Sequence, residues 1–285
     1  MLVSRRIFLQ KASIITSVSA IGTVFPSLLA RAQTLPKHLK DALEMLSGLR
    51  PENNNYQHRP TIFIWKGVGE ACEYVSKTDC SGFINKLLSH SYSRVVKEDF
   101  FKEWMGKERP LAKDYHQIIF KQEKFTLITD IKKVMPGDII AIRYKKDEDK
   151  SGNTGHLLLV AGVPEAPSEI QNLKPNEQDM VHWKVSVIDQ SNSGHGKKDS
   201  RYKNNGFSAC ISEDKRYCAF YSGLGKGFFR ISTNKKGEIV GYSWSLCEES
   251  EFYPVEINDY NLEKDEIEKN KRHLVIGRLQ TQFFT

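Results

Sequence analysis

The chain carries no internal repeat and no C-x-x-C pair, and past residue 32 it has no run of 18 apolar residues. The first absence excludes solenoids and propellers. The second argues against thiolate metal ribbons, and the third against a membrane-spanning helix in the body of the protein. Lysine and arginine are scattered rather than gathered on a heptad-bearing helix, and no basic stretch is interleaved with stacking aromatics, so nucleic acid is not the expected partner. Gly223-Leu224-Gly225-Lys226-Gly227 lacks the Gly-Lys-Ser/Thr ending and the following helix of a phosphate loop, and a β-turn is expected there. No metal or cofactor is expected.

What remains is a 285-residue chain, 39% apolar and 27% charged, with a net charge of +7. That balance suits a folded domain with a real core. The positive charge favours anionic partners such as an acidic wall polymer. Residues 1–32 have the form of an export signal. Arg5 and Arg6 precede a mostly apolar stretch from Ala12 to Leu29, and Ala30-Arg31-Ala32 is a small-x-small cleavage site. Ser4-Arg5-Arg6-Ile7-Phe8-Leu9-Gln10 resembles the twin-arginine pattern. The expected destination is the periplasm or cell envelope of a bacterium, with no stable membrane insertion once the signal is cut.

An oxidising destination permits disulfides. There are five cysteines: Cys72, Cys80, Cys210, Cys218 and Cys247. The odd count leaves one thiol over, and if that thiol is Cys80 the other four allow two bridges in three connectivities. Along the mature chain, Pro36 to Leu49 has helical spacing and Pro51 to Pro60 is polar loop. Ser81 to Leu88 is a helix with Phe83, Ile84, Leu87 and Leu88 on one face. The β pattern then dominates: Ile139–Tyr144, His156–Gly162, Trp183–Asp189, Gly223–Gly227 with Phe228–Ile231, Ile239–Trp244 and Leu274–Leu279. Pro164–Asp179 has the composition of a surface insertion, and the charged 258–272 segment that of a solvated helix or linker. Early helices followed by antiparallel strands give an α+β class.

Thr78-Asp79-Cys80-Ser81-Gly82-Phe83 places a thiol at a helix start. Backbone N–H groups and the positive end of the helix dipole stabilise a thiolate there. Asp79 or Thr78 is suited to cap the helix, and Gly82 leaves room for a substrate backbone. The N–H groups around Ser81 and Gly82 can also hold an oxyanion. His156 follows Gly155 at the head of an apolar strand, from which its ring can face Cys80. Asp189, ending the next strand, is the best residue to orient it. His195, in the loop beyond, is a further candidate for contact with substrate or catalytic groups.

Asp79-Cys80-Ser81-Gly82-Phe83, then Pro136-Gly137-Asp138-Ile139-Ile140, then Gly155-His156-Leu157, taken in order, resemble the NlpC/P60 superfamily of papain-like cysteine peptidases across about residues 60–192. The resemblance implies a papain-like fold, with Cys80 as nucleophile, His156 as base and Asp189 at the third polar position. His, Asn or Gln is more usual at that position, which makes Gln190 the runner-up. Tyr74 stands for the tyrosine that many members carry before the cysteine. The implied substrates are peptidoglycan stem peptides, cut by an endopeptidase or amidase. A non-catalytic wall-binding protein and an acyl transferase, or hydrolase of another amide, are the alternatives. The chain then divides into a signal (1–32), an N-terminal helix and loop (33–59), a catalytic domain (60–196) and a β-rich extension of the same domain (197–285).

Overall fold

Ile139-Ile140-Ala141-Ile142 and Leu157-Leu158-Leu159-Val160 are apolar without alternation, as expected of strands covered on both faces. They become β5 (Ile139–Arg143) and β6 (Gly155–Val160), and every residue of both is buried. The two pair antiparallel with Ile140 opposite Leu158. Ile139, Ala141, Leu157 and Leu159 point to one core, shared with the helices. Ile140, Ile142, Leu158 and Val160 point to a second core on the other face. Complete burial of such a side chain contributes about 1.5–3 kcal/mol, so these two strands anchor the fold.

The computed structural model describes residues 35–97, 99–145, 152–166, 177, 179–196, 198–202, 222–247, 249–256, 260–264, 266–267 and 272–285. The export segment 1–32, Cys210 and Cys218 lie outside the described residues, as does most of the Pro164–Asp179 insertion. Four helices are described: α1 (Lys37–Gly48), α2 (Cys80–Ser91), α3 (Phe100–Met105) and α4 (Ala112–Phe120). The strands besides β5 and β6 are β1 (Asn54–Tyr56), β2 (Ile62–Ile64), β3 (Val75–Thr78), β4 (Phe125–Ile128), β7 (Val181–Ser191), β8 (Gly223–Thr233), β9 (Ile239–Ser243), β10 (Phe252–Pro254), β11 (Tyr260–Asn261), β12 (Glu266–Ile267) and β13 (His273–Leu279).

Eight strands form one antiparallel sheet in the order β10-β9-β8-β7-β6-β5-β13-β4. A second sheet, β1-β3-β2, leads into α2, and β11 pairs with β12. The protein is thus mixed α and β, with antiparallel sheets and few helices. Residues 35–285 form one unit. The divisions after 59 and 196 are not breaks in packing. Strand β13 lies between β5 and β4, and β7 pairs with β8 over eleven residues. Asp138, in the turn before β5, receives both Nε and Nη2 of Arg278 from β13 at 2.9 Å, so the Pro136-Gly137-Asp138 motif ties the two strands.

Three local expectations are corrected. Within the polar Pro51–Pro60 stretch, Asn54–Tyr56 is a strand, parallel to β3. Its partner is distant in sequence, and the Asn54 side chain holds both the N–H and the carbonyl of Leu224. Of the two readings of Gly223–Gly227, strand and β-turn, the strand holds: it is the first half of β8. Within 258–272, the described residues form the short β11–β12 ladder rather than a helix, with Tyr260 buried against His116. In each case a tertiary partner decided what local composition left open.

Candidate active site

Strand β3 delivers the chain to α2 through Asp79, the N-cap. Its Oδ1 accepts from the Gly82 N–H at 2.7 Å and the Ser81 hydroxyl at 2.9 Å. Its Oδ2 accepts from Arg109 Nη2 at 2.6 Å, and His58 Nδ1 lies 3.3 Å away. Cys80 is the first residue of the helix, buried, and a free thiol. Cys72 is also free and exposed, so the two are not bridged. Since Asp79 occupies the Gly82 N–H and its carbonyl takes the Phe83 N–H, the Cys80 and Ser81 N–H groups remain at the helix start without intrahelical partners. The Ser81 side chain belongs to the cap. A Cβ on Gly82 would run into Thr78 Oγ1 and lie 3.2 Å from Asp79 Oδ1, so the cap itself requires a glycine there.

His156 and Asp189 meet because of strand register. β6 and β7 pair with Leu159 opposite Ile188 and Val160 opposite Val187. Continued toward the strand ends, this pairing sets His156 and Asp189 on one face as diagonal neighbours, within reach of long side chains. His156 Nε2 lies 2.6 Å from Asp189 Oδ2, and Cys80 acts on the ring electrostatically. Gly155, at φ +149°, allows the approach: a side chain there would strike the Ile142 carbonyl. Burial by itself would lower the His156 pKa. The negative charge of Cys80 and the bond and charge of Asp189 reverse that and push it up to about 10. The Trp244 ring packs edge-on against His156 at 5.4 Å.

Asp189 is fully buried. Burial alone would raise its pKa. The Arg201 guanidinium first, then His195 and the bond from His156, hold the carboxyl well below the usual range. Arg201 donates to both the side chain and the carbonyl of Asp189. His195 Nε2 lies 3.1 Å from Asp189 Oδ1, an ion-pair distance whose direction is too bent for a hydrogen bond, while Nδ1 is 2.6 Å from the Trp244 carbonyl. His195 therefore stands behind Asp189 in the interior, not on a cleft wall.

Two candidates are not brought to the site. Alternation turns Gln190 to the opposite face of β7, where it accepts from Ser76 Oγ at 2.8 Å and donates to the Asn55 carbonyl at 2.7 Å. It joins the two sheets. Tyr74 donates to Glu44 at 2.6 Å and packs over Gly48. The tyrosine beside Cys80 is Tyr56: β1 sets it opposite Thr78, and burial followed by the charges of Cys80 and Asp79 makes its hydroxyl hard to ionise. Tyr56, Trp244, Asp199 and Arg201 are residues of the site that no sequence motif marks. The only local signal was the Asp199-Ser200-Arg201 triplet just after His195.

The chain is 34% identical over 232 residues to a protein of Acanthamoeba polyphaga mimivirus described as "Uncharacterized protein R653", covering 81% of this chain and 89% of that one. No family model matches the chain, and no solved structure matches it. Identity at that level over nearly all of both chains means that this protein belongs to the same family as the mimivirus protein.

Proposed function

We propose that the protein is a papain-like cysteine hydrolase acting on an amide bond, with peptidoglycan stem peptides as the substrate. One observation carries the reading: a buried thiol at a helix N-terminus interacts electrostatically with a buried histidine whose Nε2 is held by a buried carboxylate. A helix followed by antiparallel strands, with cysteine, histidine and acid in that chain order, suits the papain-like arrangement. The basic net charge suits an anionic wall, and the signal-like residues 1–32 suit export to it.

With Nε2 engaged by Asp189, Nδ1 of His156 is the atom left to serve the sulfur. In the first step His156 Nδ1 takes the thiol proton and Cys80 Sγ attacks the amide carbon, while the carbonyl π electrons move onto oxygen. The Cys80 and Ser81 N–H groups receive that oxyanion. Collapse breaks the C–N bond, and His156 gives its Nδ1 proton to the departing amine. Water then attacks the thioester while His156 takes one of its protons; the C–S bond breaks and the acid is released. Asp189 stays ionised throughout and stabilises the imidazolium.

The test is digestion of peptidoglycan by the purified protein and by Cys80→Ala, with fragments identified by mass spectrometry. New amide-cleavage products from the wild type alone are expected. The same products from both would sink the assignment.

A further inference from the structure

Behind Asp189 lies a second charged layer in which no group is open to solvent. Arg201 is fully buried, and all five of its N–H donors have acceptors. Nε donates to the Gly223 carbonyl at 2.9 Å. Nη1 donates to the Ser193 carbonyl at 3.3 Å and to Asp199 Oδ2 at 2.8 Å. Nη2 donates to the Asp189 carbonyl at 2.7 Å and to Asp189 Oδ1. Asp199 completes the layer by accepting from the His195 N–H at 2.7 Å and the Arg201 N–H at 2.9 Å.

The glycines of β8 make room for this layer. A Cβ on Gly225 would lie 2.5 Å from Arg201 Nε, and one on Gly227 would lie 2.5 Å from Asp199 Oδ2 and 2.7 Å from His195 Cβ. A segment with the look of a phosphate loop is thus a bare patch of strand on which an arginine and an aspartate lie flat.

We propose that Arg201, braced by Asp199, is a positioning residue of the catalytic apparatus: it fixes the Asp189 carboxylate toward His156 and supplies the buried counter-charge that keeps it an anion. The proposal rests on the thiol-hydrolase reading of Cys80. An arginine fork suits the task because two donors on one residue set both the place and the plane of a carboxylate. The charged or titratable groups around Asp189 are His156 from β6, His195 and Arg201 from the loop after β7, Asp199 across Arg201, and, farther off, Tyr56 and Cys80. Arg201 alone among them is a permanent cation. Without it the desolvated carboxyl takes up a proton, and a neutral carboxyl no longer supports the imidazolium that keeps Cys80 reactive.

A substrate-independent experiment decides the matter. The purified full chain is treated with iodoacetamide over a pH series, and alkylation of Cys80 and of exposed Cys72 is followed separately by peptide mass spectrometry. Arg201→Met is expected to slow the Cys80 reaction roughly tenfold near about pH 6 and to move its profile up by about one pH unit. Arg201→Lys should recover part of the rate, since the charge returns without the fork. Cys72 should react alike in all variants. If Arg201→Met does not fold, Arg201→Lys and Asp199→Asn give the same comparison, each with a smaller shift in the same direction. Folded variants whose Cys80 profile matches the wild type, while His156→Ala displaces it, would overturn the proposal alone. A Cys80 profile that even His156→Ala leaves unmoved would remove the hydrolase reading and the proposal with it.

Discussion

Two buried histidines of this protein respond in opposite ways to the same burial. His156, at the end of β6, is pushed up to about 10, whereas His116, on α4, is driven well below its ordinary value. Burial lowers both. The difference lies in the company each keeps. His156 has Asp189 on its Nε2 and the charge of Cys80 acting on the ring. Among the described residues His116 has His273 as its one hydrogen-bond partner, 2.7 Å from its Nε2, with the Arg143 cation close enough to oppose a second charge. Inside a protein a histidine is made cationic by an anion within reach, and made inert by its absence. One chain thus contains a buried histidine held cationic by its anions and another kept neutral by burial.

The largest expected effect separates the two directly. His156→Ala, like Cys80→Ala, should reduce turnover of a cleaved wall peptide roughly 10²–10⁴-fold, while His116→Gln should leave the rate within about twofold. Equal losses in matched rate assays would erase the distinction.

Next in size is Asp189→Asn, which removes the anion and should make His156 resemble His116. It strands the buried Arg201, a loss of about 3–5 kcal/mol in urea unfolding. The raised pKa of His156 means that its stabilisation is complete below about pH 6.5 and vanishes as pH rises through about 10. In Asp189→Asn that loss should begin at lower pH, read as a lower His156 midpoint in histidine-selective NMR titration. An unmoved midpoint would show that the carboxylate is not what charges the ring.

Gly227→Ala presses on the support from behind, since its Cβ would meet Asp199 and His195. A cost of about 1–3 kcal/mol is expected, with a fall in Cys80 reactivity that an equally destabilising change near His116 would not produce. His116 itself predicts acid sensitivity. Its lowered pKa keeps it neutral when folded, so the unfolded chain binds the extra proton and stability declines as pH falls below about 6.5, by up to about 1.4 kcal/mol per pH unit. Thermal melts of His116→Gln should show a shallower slope over that range. Tyr74→Phe touches neither histidine and should change stability by less than about 0.5 kcal/mol, with the Cys80 alkylation rate unaltered.

How much of this was legible follows from the range of the interactions. Asp79-Cys80-Ser81-Gly82 is a capped helix start whose partners lie within three residues, so its pattern is readable in one line of text. Gly155-His156 opens a run of apolar residues long enough to be a strand. Asp189 over Gln190 was harder, because only the β6–β7 register decides which of two adjacent polar residues faces the histidine. Tyr56 is not legible for a similar reason: its place near Cys80 comes from the parallel pairing of β1 with β3, not from sequence distance.

By itself the sequence determined the capped thiol, the buried strands β5 and β6 and the histidine that heads one of them, because helix caps and apolar runs act between near neighbours. Only the tertiary structure decided that β13 sits between β5 and β4, that Gly225 and Gly227 are bare to admit Arg201 and Asp199, and that an arginine stands behind the acid. Those choices depend on contacts between segments far apart in the chain, where no local spacing records the partner. A buried charge is tolerable only where the whole fold brings its counter-charge to it.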